Sequence, residues 1–212
     1  GYPIQTAGFL LGSRGIGTLL TMMVAPRLMR LIPTRYLILT GLLATGGTLY
    51  WMTGFSFDVS QQTIVVTSII QGVGLGLLFV PITSVAFQTL PGELRNSGTS
   101  ILTLVRNIGS SIGISMVIAN LTDKTIEMHA RLTEQVTPFN NALQMPDVAR
   151  ALDLATDAGR ALLDQIVTQQ AMMIAYLNDF KLLMVLTLAM IPLVLIIGTA
   201  RPGAPEEPAV ID

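Results

Sequence analysis

Five stretches of the chain, residues 8–26, 36–57, 63–90, 98–120 and 182–200, make up about half of its 212 residues. They hold only two charged side chains, Arg14 and Arg106. The rest of the 12 basic and 13 acidic residues lie between and beyond them. A window of about 20 apolar residues matches the roughly 30 Å hydrocarbon core of a bilayer. Charge is excluded from such a window because lipid offers no water to solvate it. Five of them specify an all-α integral membrane protein. Composition agrees, with 12% charged residues against about 25% in a soluble domain.

Several functional classes fall away. Nucleic-acid binding needs a basic surface, whereas the net charge is −1. The absence of cysteine removes disulfides, thiol nucleophiles and Cys-ligated zinc. A single histidine, His129, sits in a polar segment with no second ligand nearby, so no metal site, catalytic centre or cofactor is expected. The chain starts Gly1-Tyr2-Pro3, and no charged segment precedes the first apolar window. The expectation is a piece of a longer chain, without a signal peptide.

The linker Arg27-Leu28-Met29-Arg30-Leu31-Ile32-Pro33-Thr34-Arg35 joins the first two spans and carries three arginines. A polar turn, Asp58-Val59-Ser60-Gln61-Gln62, follows the second span, and Pro91-Gly92-Glu93-Leu94-Arg95-Asn96-Ser97 leads to the fourth. At 1.5 Å per residue the 63–90 window reaches about 42 Å, so it must tilt or protrude. Arginines in short loops face the cytoplasm. Arg27, Arg30, Arg35, Arg95 and Arg201 all belong to one side, and the short segments of the other side, residues 1–7 and 58–62, hold none. The N-terminus is therefore expected outside and the C-terminus inside.

Residues 121–181 then form an extracytoplasmic segment with five basic and eight acidic side chains. After Pro146 an apolar stripe recurs at helical spacing: Val148, Leu152, Ala155, Gly159, Leu162, Ile166, Met173, Leu177. Asp147 suits a helix first turn. This predicts an amphipathic helix of about 25–30 residues, separate from the last span or continuous with it, packed on its own protein or on the lipid surface, or docking a partner. Residues 182–200 form the last span, and the Pro-rich acidic tail 201–212 reads as disordered.

Small residues repeat four apart at Gly8 and Gly12, Gly72 and Gly76, and Gly109 and Gly113, a spacing that lets helix backbones approach closely in lipid. Arg106 lies ~12 Å into its span by helix rise. A lone arginine at a helix centre costs about 2.5–3.5 kcal/mol unless it snorkels, pairs or meets water. Thr103, Asn107, Ser110 and Ser111 share its flank, which suggests a cavity or an interhelical network. Arg106 is then either a structural donor or part of a transport cycle. Arg14, nearer a boundary, can snorkel, and Gln71 adds a neutral polar group. No aspartate or glutamate lies within any window.

Pro81, Leu90-Pro91-Gly92-Glu93-Leu94-Arg95, Gly98-Thr99 and Arg106-Asn107-Ile108-Gly109-Ser110-Ser111-Ile112-Gly113 together resemble the EmrB/QacA-type multidrug efflux transporters. These are fourteen-span drug:proton antiporters of the major facilitator superfamily. Ala7-Gly8, Arg14-Gly15-Ile16-Gly17 and Gln169-Gln170-Ala171-Met172 extend the similarity over most of residues 1–200. The superfamily's cytoplasmic signature, G-x-L-x-D-R-x-G-x-R, matches residues 26–35 at Leu28 and Arg35 and departs at Pro26, Arg30 and Leu31. The resemblance implies five helices of a C-terminal bundle, the second to the sixth. It also implies a missing N-terminal half that holds most proton-coupling acids, and a site between two rocking bundles.

The expected function is proton-coupled export of amphipathic, drug-like molecules across a bacterial inner membrane, with a periplasmic adaptor protein as a candidate partner. The rival is a membrane scaffold or interaction subunit that transports nothing. The orientation is directly testable: cysteines introduced at Thr34 and Asn96 should be shielded from impermeant reagents in intact cells, and one at Asn141 should label. Labelling at Thr34 with none at Asn141 inverts the topology.

Overall fold

The computed structural model describes residues 4–56, 58–88, 90–134, 136–137, 145, 152 and 156–196. Among them every regular element is helical: α1 (Ile4–Leu31), α2 (Thr34–Met52), α3 (Gln61–Phe87), a 3₁₀ turn (Gly92–Leu94), α4 (Arg95–Glu134) and α5 (Asp157–Ile196). Three stretches, Gln61–Phe87, Gly92–Glu134 and Asp157–Ile196, are long and apolar enough to cross a membrane. The chain is a multi-pass membrane protein.

Helix ends differ from the apolar windows. The helix α1 continues through Pro26 to Leu31, so Arg27 and Arg30 are helical and the break narrows to Ile32-Pro33. Pro33 sets that break, because a proline disfavours helical backbone in the residue before it. At α3, Ser60 is the N-cap: its Oγ accepts from the Thr63 amide at 3.2 Å. The helix α4 runs 14 residues beyond the apolar boundary at Asn120. Lys124 and Arg131 both pair with Glu127 there, each at 2.7 Å, and such i,i+3 and i,i+4 pairs support a helix in water.

The described part of the stretch read as an amphipathic helix lies in one long helix. The helix α5 starts at Asp157, where the Thr156 hydroxyl accepts from the Gly159 amide at 3.1 Å, and continues unbroken into the last apolar span. Asp147, Val148 and Ala155 lie outside the described residues, and Leu152 precedes the helix. Leu162 and Ile166 are exposed; the buried residues are Gly159, Val167, Ala171, Ala175 and Asp179. Of the predicted stripe, Gly159 is buried and Met173 and Leu177 are half-buried. Residues 197–200 of the last window and the tail 201–212 also lie outside the described residues.

The chain divides into two compact units. The first holds residues 1–52, 58–104 and 182–212, and α3 packs on both α1 and α2 within it. Glycines allow this. A Cβ at Gly72 would run into the Arg14 carbonyl, and one at Gly17 into the Ile69 carbonyl. On the other side, a Cβ at Gly74 would stand 2.5 Å from Thr45 Oγ1 and 3.1 Å from the Gly41 carbonyl oxygen. Thr18 Oγ1 bridges the α1–α3 contact, donating to its own helix at Arg14 O (3.0 Å) and across to Gly72 O (3.1 Å). Ile38 and Leu42 of α2 form an apolar core with Val194 of α5, flanked by Leu39, Leu78 and Ile191.

Two buried threonines are satisfied within their own helix, whereas the buried Thr45 Oγ1 has no hydrogen-bond partner among the described residues. The buried Thr48 and Thr67 hydroxyls donate to carbonyls three and four residues back at 2.8–3.1 Å. That is how a threonine is tolerated where lipid offers no partner.

Among the described residues, an added Cβ at Gly8, Gly12, Gly109 or Gly113 meets nothing within 4 Å. The two groups should therefore separate on substitution. Gly72→Val should destabilise the detergent-purified protein by about 1–3 kcal/mol, the usual cost of overpacking. Gly109→Ala should leave it unchanged or raise it slightly, because alanine is the better helix former. Thermal unfolding midpoints check both, and equal effects would remove the packing role of α3.

Candidate functional site

The residues expected to line a site fall into separate places. Arg14 is exposed on α1, and its backbone carbonyl lies in the α1–α3 contact. Gln71 is half-buried on α3, one residue before Gly72. Arg27 and Arg30 are exposed on the last turns of α1, and Arg35 is half-buried at the start of α2. These belong to the first unit.

In the second unit, residues 53–57 and 105–181, the polar flank of α4 is an open surface. Arg106 is half-buried, while Asn107, Ser110 and Ser111 are exposed. The Ser110 hydroxyl donates to the Asn107 carbonyl of its own helix at 3.0 Å, so its hydrogen bond needs no second helix. Around them Val105, Ile108, Ile112 and Ile114 are also more than half exposed. This is a helix with both a polar strip and an apolar surface presented outward.

Among the described residues, the most enclosed ionisable group is one that the sequence windows passed over. Asp179 of α5 is 3% exposed. Its Oδ1 accepts from Asn120 Nδ2 of α4 at 2.5 Å. Its Oδ2 is buried with no hydrogen-bond partner. Asn120 is the last residue of one apolar window, and Asp179 stands three residues before the next one begins at Leu182. The sequence signal was present as a pair of polar residues at facing window edges, but their pairing spans 59 positions and is a property of the fold.

Next to this pair, Leu121, Thr122, Thr125 and Ile126 of α4 and Met172 and Tyr176 of α5 line a mainly apolar cavity of about 280 Å³. Farther along the same helices the chemistry turns ionic. His129 Nε2 meets Asp164 Oδ1 at 3.0 Å, and Arg160 pairs with Asp157 at 2.6 Å. The Lys124 hydrogen bond and charge hold the Glu127 carboxyl below its ordinary value, with Arg131 acting the same way. Among the described residues no three His, Asp or Glu side chains converge as a metal site would require.

Comparison with known proteins places these features. A family model described as the Major Facilitator Superfamily matches residues 1–124. The fatty acid resistance protein FarB of Neisseria gonorrhoeae is 24% identical, over 92% of this chain and 38% of its own length. The multidrug export protein EmrB of Escherichia coli (strain K12) is 26% identical, over 82% of this chain and 35% of its own. EmrB of Haemophilus influenzae is 24% identical, over 95% and 39%. The chain spans less than two-fifths of the length of these relatives.

Proposed function

The chain belongs to the Major Facilitator Superfamily, and we propose that it is the C-terminal part of a proton-coupled multidrug efflux transporter. It would export amphipathic small molecules from a bacterial cell in exchange for protons. The observation that carries this is the similarity over most of the chain to relatives named for multidrug export and fatty acid resistance. Their longer sequences leave room for an N-terminal half that would close the transport cavity.

In this reading all five helices span the membrane. The apolar length of α3, α4 and α5 supports three of them. For α2, exposed Tyr36 lies at one end and exposed Tyr50 and Trp51 at the other. They stand ~22 Å apart by helix rise, as interfacial aromatics flanking a hydrocarbon core do. The helix α1 is tied to α3 at Thr18 and Gly72 and would share its membrane frame. The arginine distribution favours an N-terminus outside, which would put the 121–181 segment in the periplasm, in reach of an adaptor protein.

The polar flank of α4 supplies the cavity wall. Arg106, with Asn107, Ser110 and Ser111, would face water or the other bundle, since a guanidinium and an amide are costly against lipid. The full-length parent in inverted vesicles should move a fluorescent cation when a proton gradient is imposed and stop when the gradient collapses. Transport that ignores the gradient, or none, overturns this function. In the same assay Arg106→Ala should lower efflux by about fivefold or more, within the range of ordinary coupling between sites. Arg106→Lys keeps the charge but not the planar fork of donors, so it should rescue only in part. Undiminished efflux by a membrane-inserted alanine variant would remove Arg106 from the cycle.

A further inference from the structure

The apolar windows contain no carboxylate, yet the fold buries one at their edge. Asp179 is 3% exposed, inside an unbroken helix, and its neighbour across the helix pair is a neutral amide. Burying an ionised carboxylate costs several kcal/mol unless it is paired with a cation and fully hydrogen-bonded. The charges nearest along the two helices do not supply that pairing. Lys181, two residues on, and Asp123 on α4 are exposed, and Lys124 is bonded to Glu127. Asn120 satisfies one oxygen of Asp179 and leaves the other without a partner.

Those two oxygens have different roles. Oδ1, held by the Asn120 amide at 2.5 Å, fixes the carboxyl group whether or not it is ionised. Oδ2 can take a proton without breaking that bond, and doing so removes one negative charge from an enclosed position. A mainly apolar cavity lies one turn away. Tyr176 on its wall precedes Asp179 by three residues, and Leu121 adjoins Asn120. Beyond it lie the ionic residues of the segment read as periplasmic. We propose that Asp179, oriented by Asn120, is a proton-binding carboxylate of the transport cycle, loaded at Oδ2 from the side on which residues 121–181 emerge. This rests on the transporter reading above. Proton binding biases the cycle only if the two access states hold the proton with different affinity, and a carboxyl buried in one state and hydrated in another meets that condition.

The test uses the full-length parent in proteoliposomes, with gradient-driven efflux measured beside substrate exchange at equal pH, which needs no net proton movement. Asp179→Asn should lose gradient-driven efflux by about tenfold or more, again the order of a coupling free energy, and keep its exchange rate. Asp179→Glu and Asn120→Leu, which keep an acid but change its setting, should retain driven efflux with a shifted pH profile. Wild-type driven efflux in Asp179→Asn overturns the proposal. So does a parallel loss of exchange in an inserted, folded variant, which would mark Asp179 as structural. Should Asp179→Asn fail to insert, unshifted pH profiles in the other two variants overturn it. A wild-type parent with no gradient-driven efflux overturns the transporter reading first, and the coupling role with it.

Discussion

Lipid does not pull one apolar helix onto another, so the first unit depends on how closely α3 can approach its two neighbours. The hydrophobic effect that assembles soluble cores is already spent when a helix enters the bilayer, and dispersion and hydrogen bonds across the contact must replace it. Gly17 and Gly72 bring the α1 and α3 backbones together until no Cβ would fit, and Gly41 and Gly74 do the same for α2 and α3. The Thr18 hydroxyl then donates across the gap to a main-chain carbonyl. A bond of that kind is available only at such short range, so packing and hydrogen bonding here are one feature. With α3 fixed on both sides, Leu78 is placed against Ile38 and Leu42, and the last turns of α5 complete the apolar core with Ile191 and Val194.

Much of this was legible in the sequence, and the parts that were not share a physical reason. Charge exclusion located the apolar stretch of each helix, because the cost of an ion in hydrocarbon is large enough to outweigh any local preference. Three of these helices are long and apolar enough to cross a membrane. Charge exclusion does not locate helix ends. A helix leaving the bilayer meets water, where Lys124, Glu127 and Arg131 stabilise it, so α4 continues well past Asn120. Glycine spacing has a similar limit. Repeats four apart mark a smooth stripe on one face, but not whether a neighbour lies over it. Gly72 and Gly76 have one; Gly8, Gly12, Gly109 and Gly113 do not among the described residues. The α5 stripe was legible in part: Gly159 is buried and Met173 and Leu177 are half-buried, while Leu162 and Ile166 lie outside and Ala171 and Ala175, which a stripe of large apolar side chains passes over, lie inside.

Asp179 was hidden by the same logic that found the spans. An apolar window ends where a charge begins, so a carboxylate at its margin is assigned to the loop by definition. What makes Asp179 a site is Asn120, whose amide reaches it from a separate helix. The candidate site was thus half legible: its polar flank on α4 could be read from helical spacing, but its enclosed acid needed the fold. The polar flank and the amide that holds the acid lie on one helix, Arg106 and Asn120 being 14 residues or ~21 Å apart by rise, while the acid itself belongs to α5.

The outward surface of α4 states what the remainder of the proposed transporter must supply. Its apolar side chains can face lipid at no cost, but Asn107, Ser110 and Ser111 beside them are exposed as well. One helix surface cannot suit lipid all round when it carries both. The polar strip needs water or donors and acceptors from another bundle, and the apolar remainder needs acyl chains or side chains. An interface that is wet along one strip and dry along its borders meets both demands. A polyspecific pocket for amphipathic molecules requires the same division, because an apolar body and a polar head must each find their own surface without a tight shape match. The mixed face of α4 is therefore what a cavity wall in such a transporter has to look like before its partner closes over it.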